Sequence, residues 1–103
     1  MRHDLAKKKR IVNRKLIEEA KEAPCIACGV MPAGDAHHVT SVKTGGDDVV
    51  NNLIPLCRGH HTEFHVMYWS RFMRAYPSVK IWLELAGRND IIEKSEERTC
   101  NQF

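Results

Sequence analysis

The sequence predicts a single α+β domain in which two short strands are flanked by helices and stapled by a metal knuckle. Three observations predict it. The chain has 103 residues, which suits one compact domain, and a chain this short buries only about 60–70% of its unfolded surface, so a staple helps it. The spacing of apolar residues switches between helical and alternating along the chain. Five of the six histidines (His37, His38, His60, His61, His65) fall close together, with Cys25, Cys28 and Cys57 in or beside that window.

Residues 4–22 read as a helix. Asp4 can cap it, and Leu5, Ile11, Val12, Leu16 and Ile17 recur at near-helical spacing. Lys7, Lys8, Lys9 and Arg10 form a basic run at its start, while Glu18, Glu19 and Glu22 lie near its end. That order opposes the helix dipole, so stability alone does not account for it. Pro24 ends the helix, and Cys25-Ile-Ala-Cys28-Gly29 reads as a knuckle turn. Pro32, Gly34 and Asp35 signal a turn before a strand over 36–43 and a Gly-Gly-Asp-Asp loop. Residues 49–56 read as a loop and a short strand stopping at Pro55. A helix follows over about 58–65, then a second helical segment over 68–76. A third starts at Pro77 and stops at Gly87. From Arg88 an irregular tail is expected. The layout is one domain over 1–103: a basic N-terminal helix (1–23), a metal-binding core (24–66), C-terminal helices (67–87) and the tail (88–103).

Charge and composition narrow the class. The net charge is only +3, but residues 1–22 hold eight Lys/Arg against four Asp/Glu, which fits a polyanionic partner and an ordinary solvated helix face equally well. No apolar run is long enough to span a bilayer, and the charged start lacks the apolar core of a secretory signal. A cytoplasmic protein without a membrane partner is therefore expected. In that reducing compartment paired cysteines read as metal ligands rather than disulfides.

Cys25-x2-Cys28 and Cys57-x2-His60 supply four soft or borderline ligands on two turns, which is the requirement of a closed, structural Zn²⁺ site. Cys100 has no such partner and reads as a free thiol. A second group comprises His37, His38, His61 and His65. On a strand His37 and His38 point to opposite faces, and on a helix His61 and His65 share one face. One strand histidine plus the helical pair makes three ligands, which leaves positions open for water and substrate.

Cys25-x2-Cys28, Ala36-His37-His38-Val39, Asn52-Leu53 and Pro55-Leu56-Cys57-x2-His60-His61-x3-His65 together resemble the HNH endonuclease family over residues 24–66. The resemblance implies a ββα-metal core with a structural zinc knuckle and flanking helices. It implies that His38 is the general base, that His37, His61 and His65 hold one catalytic divalent metal (Mg²⁺, Mn²⁺, Ni²⁺ or Zn²⁺), and that Asn52 orients the His38 strand through backbone contacts. The catalytic set so implied is His38, Asn52 and His61. Two departures stand out: His60 replaces a cysteine common in the family, and His37 replaces an aspartate, which softens the metal site.

The chemistry stands without the name. A neutral imidazole with an ordinary pKa near 6.5 can take a proton from water, and a divalent cation stabilises charge on phosphate and leaving oxygen. Contacts to DNA phosphates are expected from Lys7, Lys8, Lys9, Arg10, Lys43 and Arg58. A zinc-stapled nucleic-acid-binding module without catalysis explains the Cys₃His set and the basic helix equally well. It leaves His37, His38, His61 and His65 unexplained. A two-Cys, two-His finger fails on spacing. Trp69, Phe72, Trp82, Leu83 and Leu85 form either a dimer face or a core against the N-terminal helix. The core is favoured, so a monomer that nicks duplex DNA is expected.

Overall fold

The computed structural model describes residues 9–100, with side chains as far as Ser95. Six elements follow one another: helix α1 (Arg14–Glu22), strand β1 (Gly34–His38), strand β2 (Leu53–Cys57), helix α2 (Arg58–Ala75), helix α3 (Pro77–Leu85) and helix α4 (Asn89–Cys100). Two single 3₁₀ turns, Val42–Thr44 and Val50–Asn52, lie in the connection between the strands. The fold is mixed, with one two-stranded sheet among helices. Among the described residues no helix is long and apolar enough to cross a membrane.

Helix α1 starts later than its apolar spacing suggests. Asn13 is the cap, its side chain accepting from the Leu16 amide at 3.1 Å. Residues 9–13 form a non-helical arm, with the backbone of Ile11 and Asn13 bound to the loop before β2. Asp4, Leu5, Lys7 and Lys8 lie outside the described residues. The helix ends at Glu22; Ala23 is extended (φ −75°, ψ 165°), as the residue before a proline must be.

The strands pair antiparallel, with His37 opposite Ile54 and His38 opposite Leu53. The first strand stops at His38, short of the expected Lys43, since the chain turns away into the loop. The second runs through Pro55 to Cys57. A proline is tolerated there because a two-stranded sheet is all edge, and the Pro55 carbonyl accepts from the Ile26 amide at 3.0 Å. Directly opposed residues share a face. Asp35, His37, Ile54 and Leu56 therefore lie on one side and Ala36, His38, Leu53 and Pro55 on the other.

Helix α2 covers the first side. It is broken at Tyr68 (φ 62°, ψ −179°), a conformation that costs a non-glycine residue of the order of 1–3 kcal/mol. The break re-aims the helix. The part before it presents Phe64 and the histidines to the sheet, and the part after it buries Phe72 and Met73. Phe72, Ile54, Leu56, Leu83 and Val79 are fully buried, each contributing about 1.5–3 kcal/mol of apolar burial. This core is closed by α3 and α4. Pro77 starts α3, and Gly87 (φ 75°) ends it with Arg88 N–H reaching the Leu83 carbonyl at 2.8 Å.

Residues Asn89–Cys100 are helical rather than irregular. Ile92 is buried, Ile91 packs against the core and Asp90 stands in the first turn of α4. Two adjacent isoleucines give too short a pattern to show a period. Of the apolar residues weighed as a dimer face, Phe72 and Leu83 belong to the core formed with α3 and α4, whereas Leu85 is 85% exposed. Trp82 lines a shallow groove with Leu16 and Ala20 of α1.

Candidate metal centres

The knuckle is shaped by its backbone. Gly29 N–H donates to the Cys25 carbonyl at 2.7 Å and Cys25 N–H to that of Val30 at 2.8 Å; Gly29 takes φ 83°, which a side chain would oppose. The turn docks on the end of β2 and brings Cys25 and Cys28 to Cys57 and His60. The four ligand atoms lie within 4.8 Å of one another. Cys28 Sγ and Cys57 Sγ are 4.0 Å apart, Cys25 Sγ and His60 Nδ1 4.0 Å, and Cys57 Sγ and His60 Nδ1 3.2 Å. Thiolates on tetrahedral zinc sit about 3.8 Å apart, given bonds of about 2.3 Å. The group can therefore hold a metal such as zinc, with protein filling every position.

Burial of the Cys25 thiol pushes its pKa up, but the amides of Cys57, Cys28 and Ala27 aimed at the sulfur outweigh this and lower it. That favours the thiolate a metal needs. His60 packs edge-on against Tyr76, ring centroids 4.8 Å apart, and the Tyr76 hydroxyl donates to Glu63.

A second group stands across the first turns of α2. His61 and His65 face His37 of β1, and their ring nitrogens also lie within 4.8 Å of one another. His37 Nδ1 is 3.1 Å from His61 Nε2. The other nitrogen of His61 is 3.0 Å from Asp35 Oδ2. Asp35 thus fixes the His61 tautomer and leaves Nε2 turned toward the group, the arrangement that holds metal-binding imidazoles. Arg58 bonds the same carboxylate, at 3.0 and 3.2 Å.

Phe64 and Trp69 wall His37, with centroids 4.5 and 5.7 Å away. This burial, assisted by His61, His65 and His38, pushes the His37 pKa down to about 3, so it is a neutral imidazole at any ordinary pH. A cleft of about 370 Å³ opens beside His61 and His65, bordered by Lys21, Arg58 and Thr62.

His38 lies on the opposite face of β1, as strand geometry requires. Its Nε2 is 2.8 Å from Asp48 Oδ1. Asn52, buried, accepts from the Thr40 amide at 2.7 Å and donates to the carbonyls of Thr40 (3.1 Å) and Asp47 (2.9 Å). Its own carbonyl accepts from Val39 N–H at 2.9 Å. It therefore ties down the loop directly after His38. Arg88 adds a bond to Asn52 Oδ1 at 2.9 Å and one to Thr40 Oγ1 at 2.8 Å.

The basic residues have separate fates. Lys9 and Lys43 are exposed, and the Arg58 side chain is 85% exposed. Arg10 is engaged: its guanidinium binds Asp48 at 2.9 Å and the Gly46 carbonyl at 3.0 Å, so it holds the loop rather than presenting a free charge. Cys100 is in α4, and its side chain lies outside the described residues.

Residue spacing did not single out Asp35, Asp48 or Arg88. Asp35 was reachable, since it stands two places before His37 and so shares its face. Nothing in Gly-Gly-Asp-Asp tells which aspartate turns inward, and Arg88 arrives from another helix.

No protein-family profile and no solved structure matches the chain. Among curated proteins, the chain is similar to the uncharacterized protein YdfU of Escherichia coli (strain K12), 41% identical over 64 residues. The match covers 59% of this chain and 18% of YdfU, so the chain spans less than a fifth of the length of that relative.

Proposed function

We propose that the chain is a metal-dependent DNA endonuclease of the HNH type, with a ββα core made of β1, β2 and the first half of α2. The observation that carries this reading is the pairing of two unlike donor groups. The Cys₃His set is closed by protein, whereas His37, His61 and His65 supply three ligands beside an open cleft. A scaffold that only binds needs the first and has no use for the second.

The donor set fits a divalent cation of borderline softness. His37 Nδ1 and His61 Nε2 are as close as neighbouring ligands of one ion, which stand about 3.0–3.4 Å apart for bonds of about 2.1 Å. Such a cation would neutralise charge on the scissile phosphate and the leaving oxygen. The protein residues do the rest. His38 takes the proton of the attacking water, Asn52 holds the loop that fixes its strand, and Asp35 orients His61. Lys9, Lys43, Arg58 and Lys21 offer phosphate contacts that weaken with salt.

The test is relaxation of supercoiled plasmid by protein loaded with zinc at the Cys₃His centre and supplied in turn with Mg²⁺, Mn²⁺, Ni²⁺ or Zn²⁺. Open circle should appear before linear product, since one chain carries one such site. His38→Ala should lose about 10²–10⁴-fold in rate while retaining metal. DNA that is shifted on a gel yet stays intact with every cation would refute the reading and leave a binding module.

A further inference from the structure

The nuclease reading assigns no role to Asp48, the most fully buried charged side chain among the described residues, at 0% exposure. Burying a carboxylate is costly unless it is paired and hydrogen-bonded. Here three donors converge on it from two directions. Oδ1 receives Arg10 at 2.9 Å and faces His38 Nε2 at 2.8 Å, and Oδ2 receives the Asn13 amide at 2.8 Å. The Asp48 amide in turn donates to the Ile11 carbonyl at 2.8 Å, and Ile11 N–H donates to Asp47 Oδ1 at 2.7 Å. The arm before α1 is thus laced to the loop before β2, and the knot of that lacing touches His38.

An ionised carboxylate only accepts hydrogen bonds, so the His38 nitrogen facing it carries the proton. The other ring nitrogen, Nδ1, has no hydrogen-bond partner among the described residues. The His38 side chain is 18% exposed, so it is not sealed from solvent.

We infer that Asp48 is a positioning residue for His38: it fixes the Nε2–H tautomer and the ring orientation, so that Nδ1 is the atom offered to water, and the Arg10–Asn13 arm holds Asp48 in that role. The role of Nδ1 in catalysis rests on the nuclease reading; the tautomer and its cause do not. The arm is then part of the active site although it touches neither metal group.

Two measurements on the full, zinc-loaded chain decide it. Long-range ¹⁵N NMR, at a pH where the ring is neutral, should show His38 as the Nε2–H tautomer, and Asp48→Asn should give a mixture or the other tautomer. In plasmid nicking, Asp48→Asn should lower kcat about tenfold or more, bounded by the ~10²–10⁴-fold worth of a general base, with KM little changed. In a His38→Ala background the same substitution should add no further loss, as expected of a residue acting through His38.

An Nδ1–H tautomer in the wild type overturns the inference even if Asp48→Asn fails to fold, because that measurement needs no variant. Equal losses with and without His38 overturn it too, leaving Asp48 as a structural tie. A wild type that cleaves while showing the wrong tautomer removes this inference alone. A wild type inert with every cation removes the catalytic role together with the nuclease reading.

Discussion

Replacing Asp35 by alanine should weaken the three-histidine metal group without disturbing the Cys₃His group. Asp35 Oδ2 lies 3.0 Å from His61 Nδ1, and both side chains are mostly shielded, at 14% and 24% exposure. The hydrogen bond to His61 is the main reason the Asp35 carboxyl titrates below its usual range; burial opposes it and Arg58 assists it. The carboxylate is thus ionised and polarises the imidazole that would bind metal. Loss of such a partner costs about 10–100-fold in metal affinity, which is about 1.4–2.7 kcal/mol. Asp35→Asn keeps an acceptor but not the charge, and a charge-assisted bond is about twice as strong as a neutral one. Half of the free energy, and so a loss of about 3–10-fold, should result. Arg58 binds the same carboxylate from an 85% exposed position, where solvent screens it, so Arg58→Ala should change affinity by only about twofold. Calorimetric titration of Mn²⁺ or Ni²⁺ into zinc-loaded protein reads all three. An Asp35→Ala protein that binds like the wild type would refute the argument, as would one that loses both metals together.

Cys57→Ser should release zinc and unfold the domain or lower its melting temperature sharply, because metal binding and folding are coupled in small domains; unchanged melting and zinc content would dismiss a structural metal. His37 should make the domain acid-sensitive when zinc fills the Cys₃His group and the three-histidine group is left without metal. Its folded pKa, near 3, lies below the ordinary 6.5, so its neutral form is favoured by folding. That contribution is complete above about pH 6.5 and is lost as pH falls toward 3, by at most about 1.4 kcal/mol per pH unit. Urea midpoints of the wild type and His37→Gln should converge across that window, and parallel curves would contradict the assignment. Gly46→Ala should destabilise the loop behind His38, since a Cβ there would fall 1.8 Å from the Thr40 carbonyl oxygen. A variant with wild-type stability would show that the loop can move aside without cost.

The donor groups were legible because ligand chemistry leaves short, paired spacings. Two thiols three positions apart, a Cys and His at the same interval and two histidines four apart each reflect one turn of backbone. The start of α3 at Pro77 and its stop at Gly87 were legible for the same local reason. The start of α1 was not. Ile11 and Val12 have helical spacing with Leu16, yet the bonds that hold residues 10–13 out of the helix run to residues 46–48, and no local pattern encodes a partner so distant in the chain. Helix α4 was missed because its burial depends on a surface supplied by α2 and α3. Asp48 and Arg88 were missed likewise, as each acts across an interface.

Cys57, His60 and His61 crowd into the junction of β2 and α2, with His60 serving one donor group and its neighbour His61 the other. Each residue added to a helix rotates the remainder of that helix by about 100°. A single insertion or deletion between Cys57 and His60 would therefore rotate His61 and His65 away from His37 and also break the pairing of Cys57 with His60. Substitution is a milder insult there: Gly59 is exposed with nothing near its missing side chain, and Thr62 is exposed too. Among homologous chains this stretch should vary in letters while keeping a fixed length, and in a mutational scan its frame of spacing should be guarded more strictly than most of its residues.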